Sequence, residues 1–585
     1  MSLLNDASLV MIPSGYKDTK LYSVKPTDGS GDFTFSRGSN LAATRVNSEG
    51  LIEKGRENLL LQSNSFDTTW FNSNSTETGG QSGYDGSSDA WLLQSTTNGN
   101  AYLRQTYTNS GVQTFSFYAK AGNVNFVQVY VTGADSSHYF NLSAGTAETP
   151  TGLGKITSKI TSVGSGWYRC ECIHQGSSTG ANFYIRDAVG GTASIGDNIL
   201  IQDAQLEQGL VATEYIETTT TTEQAGILED MPRLDYSGGA TCPSLLLEPQ
   251  RSNLVTQSEY GGDYLYINTS HVQNTQVSPE GVINSITIES DTTNATHYFG
   301  SNFNFFTSGT TYTSSIFIKK GTGRYFQLTY GSGSFGIDQY ANYDLQDGVV
   351  TYEASLATAS IEDFGNGWYR CVLTATATSN FNDRFYAVFI TSGTASRVQS
   401  HSSSLNYYFY GFQMEEGSYP TSYIPTYGAS VTRSEDICND TGLSSVIGQT
   451  EGTLFLDFNP LEFAYTSRYL SIESASGVGS GWIGIFATSP NQFRFYGDGF
   501  DIDISSYSVG DRAKIALTYQ NGVATNIYIN GVNKGSITAN TTGKDYSILR
   551  IGKAAIGGIG AGEFKQVLVF PTALTDAECE QLTTI

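Results

Sequence analysis

Gly166-Trp167-Tyr168-Arg169-Cys170 recurs 201 residues later as Gly367-Trp368-Tyr369-Arg370-Cys371. Two further phrases keep the same order around it. Glu57-Asn58-Leu59-Leu60 is answered by Ser252-Asn253-Leu254-Val255, and Gln205-Leu206-Glu207-Gln208-Gly209 by Gln413-Met414-Glu415-Glu416-Gly417. Self-similarity at a fixed spacing marks a repeated structural unit, so one domain is used twice. Within each copy, runs such as Thr114-Phe115-Ser116-Phe117-Tyr118-Ala119 and Ser315-Ile316-Phe317-Ile318 place apolar side chains on one face at every second residue, the period of a half-buried strand. Ser, Gly and Asn break the runs at the spacing of sandwich turns. Each copy therefore reads as a two-sheet jelly roll. The Trp-Tyr-Arg-Cys phrase is itself a strand, with Trp and Arg on one face and Tyr and Cys on the other, and Trp167 and Trp368 in structural roles.

Beyond the repeat, Gly452 to Phe458 and Lys514 to Tyr519 alternate again, and Ile527-Tyr528-Ile529-Asn530-Gly531 ends in a hairpin signal. Thr575 and Glu578 have capping-box spacing for a short terminal helix. The expected division is an N-terminal docking segment over 1–54, a first roll over 55–217, a connector over 218–243, a second roll over 244–433, a linker over 434–450 and a third sandwich over 451–585. The five threonines Thr218 to Thr222 open the connector, which through Asp230 is expected to be exposed. The fold class is all-β.

Bulk properties exclude several functions. The 585 residues carry a formal net charge of −24 without a basic cluster, which repels nucleic acid and anionic membranes. No apolar run reaches the ~20 residues of a membrane-spanning helix, and the first residues lack a secretion signal. Six scattered cysteines suggest reduced, buried thiols rather than a disulfide framework.

The search for chemistry favours a protein that is not an enzyme. His138, His174, His271, His297 and His401 have no metal-ligand spacing. Gly176-Ser177-Ser178-Thr179-Gly180 matches a nucleophile pattern, but a strand follows it where that chemistry needs a helix. Asp85, Asp89, Asp363, Asp501 and Asp503 read as solvated turn acids, with no pair singled out. No cofactor or metal is expected, although Asp197 with Asp203, or Asp498 with Asp501 and Asp503, have the ligand chemistry for Ca²⁺. Sugars stack on flat aromatic rings, which makes Trp70, Trp91 and Trp482 the candidate glycan contacts.

Several phrases resemble those of bacteriophage virion proteins: Asp32 to Gly38, Ala43 to Asn47 and Gly50 to Glu53, then Pro232 to Tyr236 with Cys242-Pro243 and Leu245 to Leu254. In such proteins the two groups often lie close together, so the first roll looks inserted between them. The rolls resemble carbohydrate-binding modules, and 451–585 resembles a laminin-G or concanavalin-A-like sandwich. The resemblance implies a tail fibre, head fibre or capsid decoration on the virion surface, assembled in the bacterial cytoplasm. Its partners would be other virion proteins and host-surface glycans, and its copies a homo-oligomer, a trimer by analogy with fibres. The opening segment through Asp32 would dock on the virion. The alternative is a glycan-degrading depolymerase or glycan-active enzyme with accessory binding modules, and a third reading is an architectural cement protein.

Overall fold

The computed structural model describes residues 3–38, 41–464, 467–475, 481–554 and 557–585; Met1 and Ser2 of the expected docking segment lie outside them. The chain is built almost wholly of antiparallel strands, in three sandwiches.

The two rolls share one plan. The first pairs the six-stranded sheet Lys155–Gly164, Trp167–Gln175, Val112–Ala121, Asn198–Gln208, Ala90–Ser95 and Ser75–Gln81 with a second sheet centred on Phe126–Thr132 and Ser178–Arg186. The second repeats that order in Ala357–Asp363, Trp368–Thr376, Thr311–Lys320, Asn406–Glu416, Ile286–Ser290 and Thr269–Val272. Cys170 and Cys371 point into the roll cores, while Trp167 and Trp368 lie on the outer face of their sheet, as strand alternation requires.

The repeated phrases turn out to be polar staples. Asn58 donates to the carbonyls of Ala204 and Ile216 (3.3 and 2.8 Å) and accepts from the amides of Leu60 and Leu206 (both 3.1 Å). Asn253 makes the same four bonds, to Phe412 and Ile424 (3.2 and 2.8 Å) and from Val255 and Met414 (both 3.1 Å). Gln205 and Gln413 each donate to the glutamate two residues on, at 2.7 Å. Buried backbone groups at the roll edges are thereby satisfied by side chains where no strand reaches them.

The third sandwich differs from the expected division. One of its sheets joins Leu9–Met11, Leu234–Asp235 and Ser244–Leu247 to Gly562–Phe570, Glu451–Pro460 and Ala513–Gln520. The other joins Phe33–Ser36 and Ile437–Thr441 to Tyr546–Ile551 and Ser467–Ser474. Leu9, Met11, Leu21, Phe33, Phe35, Leu245, Leu247 and Cys438 are in one core with Leu454, Ile485 and Val567. The apolar residues expected to dock on another virion protein are thus used inside this chain. The connector is exposed over most of Thr219 to Gly226, as expected, but it is anchored by Glu223–Ala225 paired to Arg56–Asn58 and by the buried Thr218 and Ile227. The 434–450 linker supplies the Ile437–Thr441 strand. Local pattern could not reveal these pairings because the partners are hundreds of residues apart, as in the Ser8–Val569 contact with a separation of 561.

The arrangement makes both rolls insertions into a scaffold sandwich. The first leaves and re-enters through Arg56–Asn58 and Glu223–Ala225, and the second through Arg251–Asn253 paired with Val431–Arg433. A buried ion network fastens the scaffold beneath them. Arg233 meets Glu248 at 2.7 Å and also Asp436, Arg37 meets Asp436 at 3.3 Å, and Arg433 meets Glu248 at 2.9 Å. Burial alone would raise the Glu248 pKa, but Arg433 and Arg233 hold it at about 2. At the waist Lys54 bridges Glu259 and Glu280, both at 2.7 Å.

Local expectations elsewhere are met. Asn530 and Gly531 take φ of 50° and 77°, the two positive values of a type I′ hairpin. Thr575 and Glu578 form a reciprocal capping box on the Asp576–Thr583 helix. Cys242 is the exception among the cysteines, exposed where a buried thiol was expected.

Candidate glycan-binding surface

Of the expected tryptophans, Trp70 is in the first roll's core, 7% exposed, with its indole N–H on the Gln62 carbonyl at 3.0 Å. It has no ring face to offer. Trp91 is half-buried beside that core, with its indole N–H on the Asn64 carbonyl at 2.9 Å. Trp482 is half-buried against Tyr496 and Phe486 in the scaffold. Trp70 and Trp91 both pack on Phe66 at the first roll's core, at 5.0 and 6.1 Å, whereas Trp482 belongs to the scaffold.

Beside Phe71 of the first roll, 62% exposed, the most exposed rings are phenylalanines of the second roll. Asn304–Phe306 pairs with Phe381–Asp383 in a short ribbon at the roll's end, with Phe305 opposite Asn382 and Phe306 opposite Phe381. Phe303, Phe305 and Phe381 are 60, 61 and 55% exposed, unusual for rings of this size. Phe306 turns inward and meets Phe335 edge-on at 4.8 Å, and Phe335 stacks on Tyr330 at 4.2 Å. Phe381, opposite Phe306, shares that face and lies against Gly333, while Phe305 projects from the other face of the ribbon.

Polar groups surround them. The Arg384 guanidinium lies 3.9 Å from the Phe303 ring centre, a cation–π distance. Asn302 accepts from the Thr256 amide at 3.3 Å, and Asn380 from the Ser308 amide at 2.7 Å. Asp383 accepts from the Ser334 amide at 3.1 Å, which pins the ribbon to the Ser332–Phe335 turn. A Cβ on Gly333 would come 2.8 Å from the Phe381 ring, so any larger residue there would push that ring aside. The result is flat apolar faces with amides and a cation at their edges, a chemistry that suits the C–H faces and hydroxyls of a sugar.

The signal was present in the sequence. Phe305 and Phe306 are consecutive in an extended segment, so they point to opposite faces and one must look outward.

The other candidates have protein partners. Ser178 opens a strand, is fully buried and donates to the Gln113 side chain at 2.7 Å. Asp197 accepts from the Ser194 amide at 2.7 Å, Asp498 pairs with Lys544 at 3.0 Å, and Asp501 pairs with Arg494. Asp203 accepts from the Tyr84 hydroxyl at 3.0 Å. Burial, only partly offset by that bond, pushes the Asp203 pKa up to about 7, and the charges of Asp89 and Asp85 add to the rise.

No protein-family model matches the chain, and no curated protein matches it. Among solved structures it is similar to domain 4 of AbnA, a GH43 extracellular arabinanase from Geobacillus stearothermophilus in complex with arabinotriose. That match has 16% identity over 26% of this chain and 73% of that one, with a TM-score of 0.22. It is also similar to the N-terminal CBM22-1-CBM22-2 tandem domain of Paenibacillus barcinonensis Xyn10C, at 10% identity over 65% and 100%, with a TM-score of 0.20. Trypanosoma rangeli sialidase matches at 10% identity over 94% and 98%, with a TM-score of 0.23. Scores at this level add nothing to the β-sandwich architecture already described.

Proposed function

We propose that this chain is a non-enzymatic adhesion and structural protein of a virion surface, which holds glycans of a host cell on the ring ribbon of its second roll. The carrying observation is the exposure of Phe303, Phe305 and Phe381 around one short ribbon, edged by Arg384 and amide side chains. The phrases at Asp32 to Glu53 and Pro232 to Leu254, which resemble those of phage virion proteins, support the setting. Homo-oligomerisation, with a trimer as the working number, belongs to the same reading. A glycan array probed with the intact chain and with F303A/F305A/F381A is the test. Binding by the wild type that falls at least tenfold in the triple variant is expected; equal binding by both would overturn the assignment to the ribbon.

One observation favours a glycan-active enzyme instead. Glu362 of the second roll and Glu563 of the scaffold both line two neighbouring cavities of about 250 and 810 Å³ between those bodies. Glu563 is half-buried, which raises its pKa, and the charge of Asp235 raises it further; Glu362 is exposed. Two carboxyl groups across a cleft are the equipment of glycoside hydrolysis. Release of reducing sugar from a bacterial polysaccharide, abolished in Glu362→Gln or Glu563→Gln, would establish that activity in place of simple adhesion.

A further inference from the structure

The two rolls meet along a cleft of about 850 Å³, within the size range of small-ligand sites. It is separate from the ring ribbon. Its width is fixed by backbone contact: the Val112 amide donates to the Tyr427 carbonyl at 2.7 Å. A Cβ on Gly111, whose φ is +89°, would lie 1.7 Å from that carbonyl oxygen. Only glycine lets the rolls approach this closely, so the cleft is formed before any ligand arrives.

Its lining is mixed, with aliphatic side chains such as Leu59, Leu153 and Val431 between polar groups that come from both rolls. The first contributes the amides of Asn109, Gln175 and Gln208, and the second contributes Gln257 and Asp263. Two of these groups are left over by the protein. Gln257 is 6% exposed, and its Oε1 is buried with no hydrogen-bond partner. The Nδ2 of Asn109, across the cleft, is also buried without a partner. A buried amide atom without a partner is costly, so a ligand that draws these amides round to the cleft surface and supplies one donor and one acceptor relieves that cost on each wall. Hydroxyls offer both.

Charge narrows the ligand. Glu57 and Asp263 line the cleft, and the one cation in its lining, Arg56, is already paired with Glu280. A carboxylated sugar would meet like charge and no free counter-charge.

We infer that the cleft between the rolls is a second glycan site, which takes a short stretch of neutral, hydroxyl-rich oligosaccharide and is bridged by Gln257 and Asn109. The inference rests on the proposed glycan-binding function but not on the ribbon. The test is an array of neutral and uronate-bearing bacterial glycans, read with the intact chain, with F303A/F305A/F381A and with N109L/Q257L. Q175A/Q208A, altered on the open wall, guards against a folding defect in the latter. Two sets of glycans are expected, one whose binding falls at least tenfold only in the ribbon variant and a neutral one whose binding falls at least tenfold only in the cleft variants, with uronates excluded from the cleft. If the cleft variants bind as the wild type does while the ribbon variant loses everything, the cleft site falls and the ribbon reading stands. Loss in the cleft variants alone would support the cleft and remove the ribbon. A wild type that binds no glycan would overturn both.

Discussion

The two rolls carry the same staples and differ in what covers their tryptophan. In the first, Trp167 packs with Tyr118, on which Tyr84 stacks at 3.6 Å, and the same loop brings Asp85 and Asp89 near Asp203. In the second, Trp368 donates to the Val277 carbonyl at 3.0 Å and packs with Phe317, Tyr410 and Tyr423 beneath Ile52 of the scaffold. Both rolls carry a bulge at the equivalent point of the stapled strand, where the pairing slips by one residue. The first fills the left-handed position with Asp203, φ 50°, and the second with Gly411, φ 61°. Duplication has kept the residues that close the fold. It has released those that face a neighbour, because staples serve any environment whereas an outer face serves only one.

The comparison is broken most severely at the junction. Arg233→Met leaves Glu248 and Asp436 short of a buried partner and should cost about 3 to 5 kcal/mol. Hydrogen exchange should show the scaffold and the second roll's neck loosening while the first roll's strands keep their protection. Next come the staples: Asn58→Leu and Asn253→Leu each strip four hydrogen bonds from buried backbone and should cost on the order of 3 kcal/mol. Protection should fall in the altered roll and not in its twin; unequal costs would show that the staples are not equivalent.

Smaller effects sharpen the contrast. With Asp203 at about 7, against 3.8 ordinarily, the native state keeps a proton that the unfolded chain gives up between those values. The first roll therefore loses stability as pH rises from about 4 to about 7 and levels off above, by roughly 2 to 4 kcal/mol. The second roll, with Gly411, lacks this contribution, and Asp203→Asn should abolish it. Exchange rates in Asn198–Gln208 against Asn406–Glu416 across that range are the measurement. Least of all, Phe303→Ala should change thermal stability by no more than about 0.5 kcal/mol and act on binding alone.

The rolls were legible because their staples are contiguous phrases: Asn58, Gln205 and Glu207 have Asn253, Gln413 and Glu415 as visible counterparts. The scaffold was not. Its sheets gather strands from three stretches of chain, and Leu9 shows nothing locally of its partner Val569. Pattern reading also ranked tryptophan above phenylalanine as a sugar contact. Trp70 is large enough to anchor a core and does so, while the outward turn of Phe305 is fixed only by its inward neighbour Phe306.

Each roll enters and leaves the scaffold through adjacent, paired strands, so the scaffold requires of an insert only that its two ends lie side by side. Whatever folds between them is a cassette. Recombination at the necks around residues 56 and 225, or 251 and 433, can therefore exchange an entire roll without redesigning the part that holds the chain together.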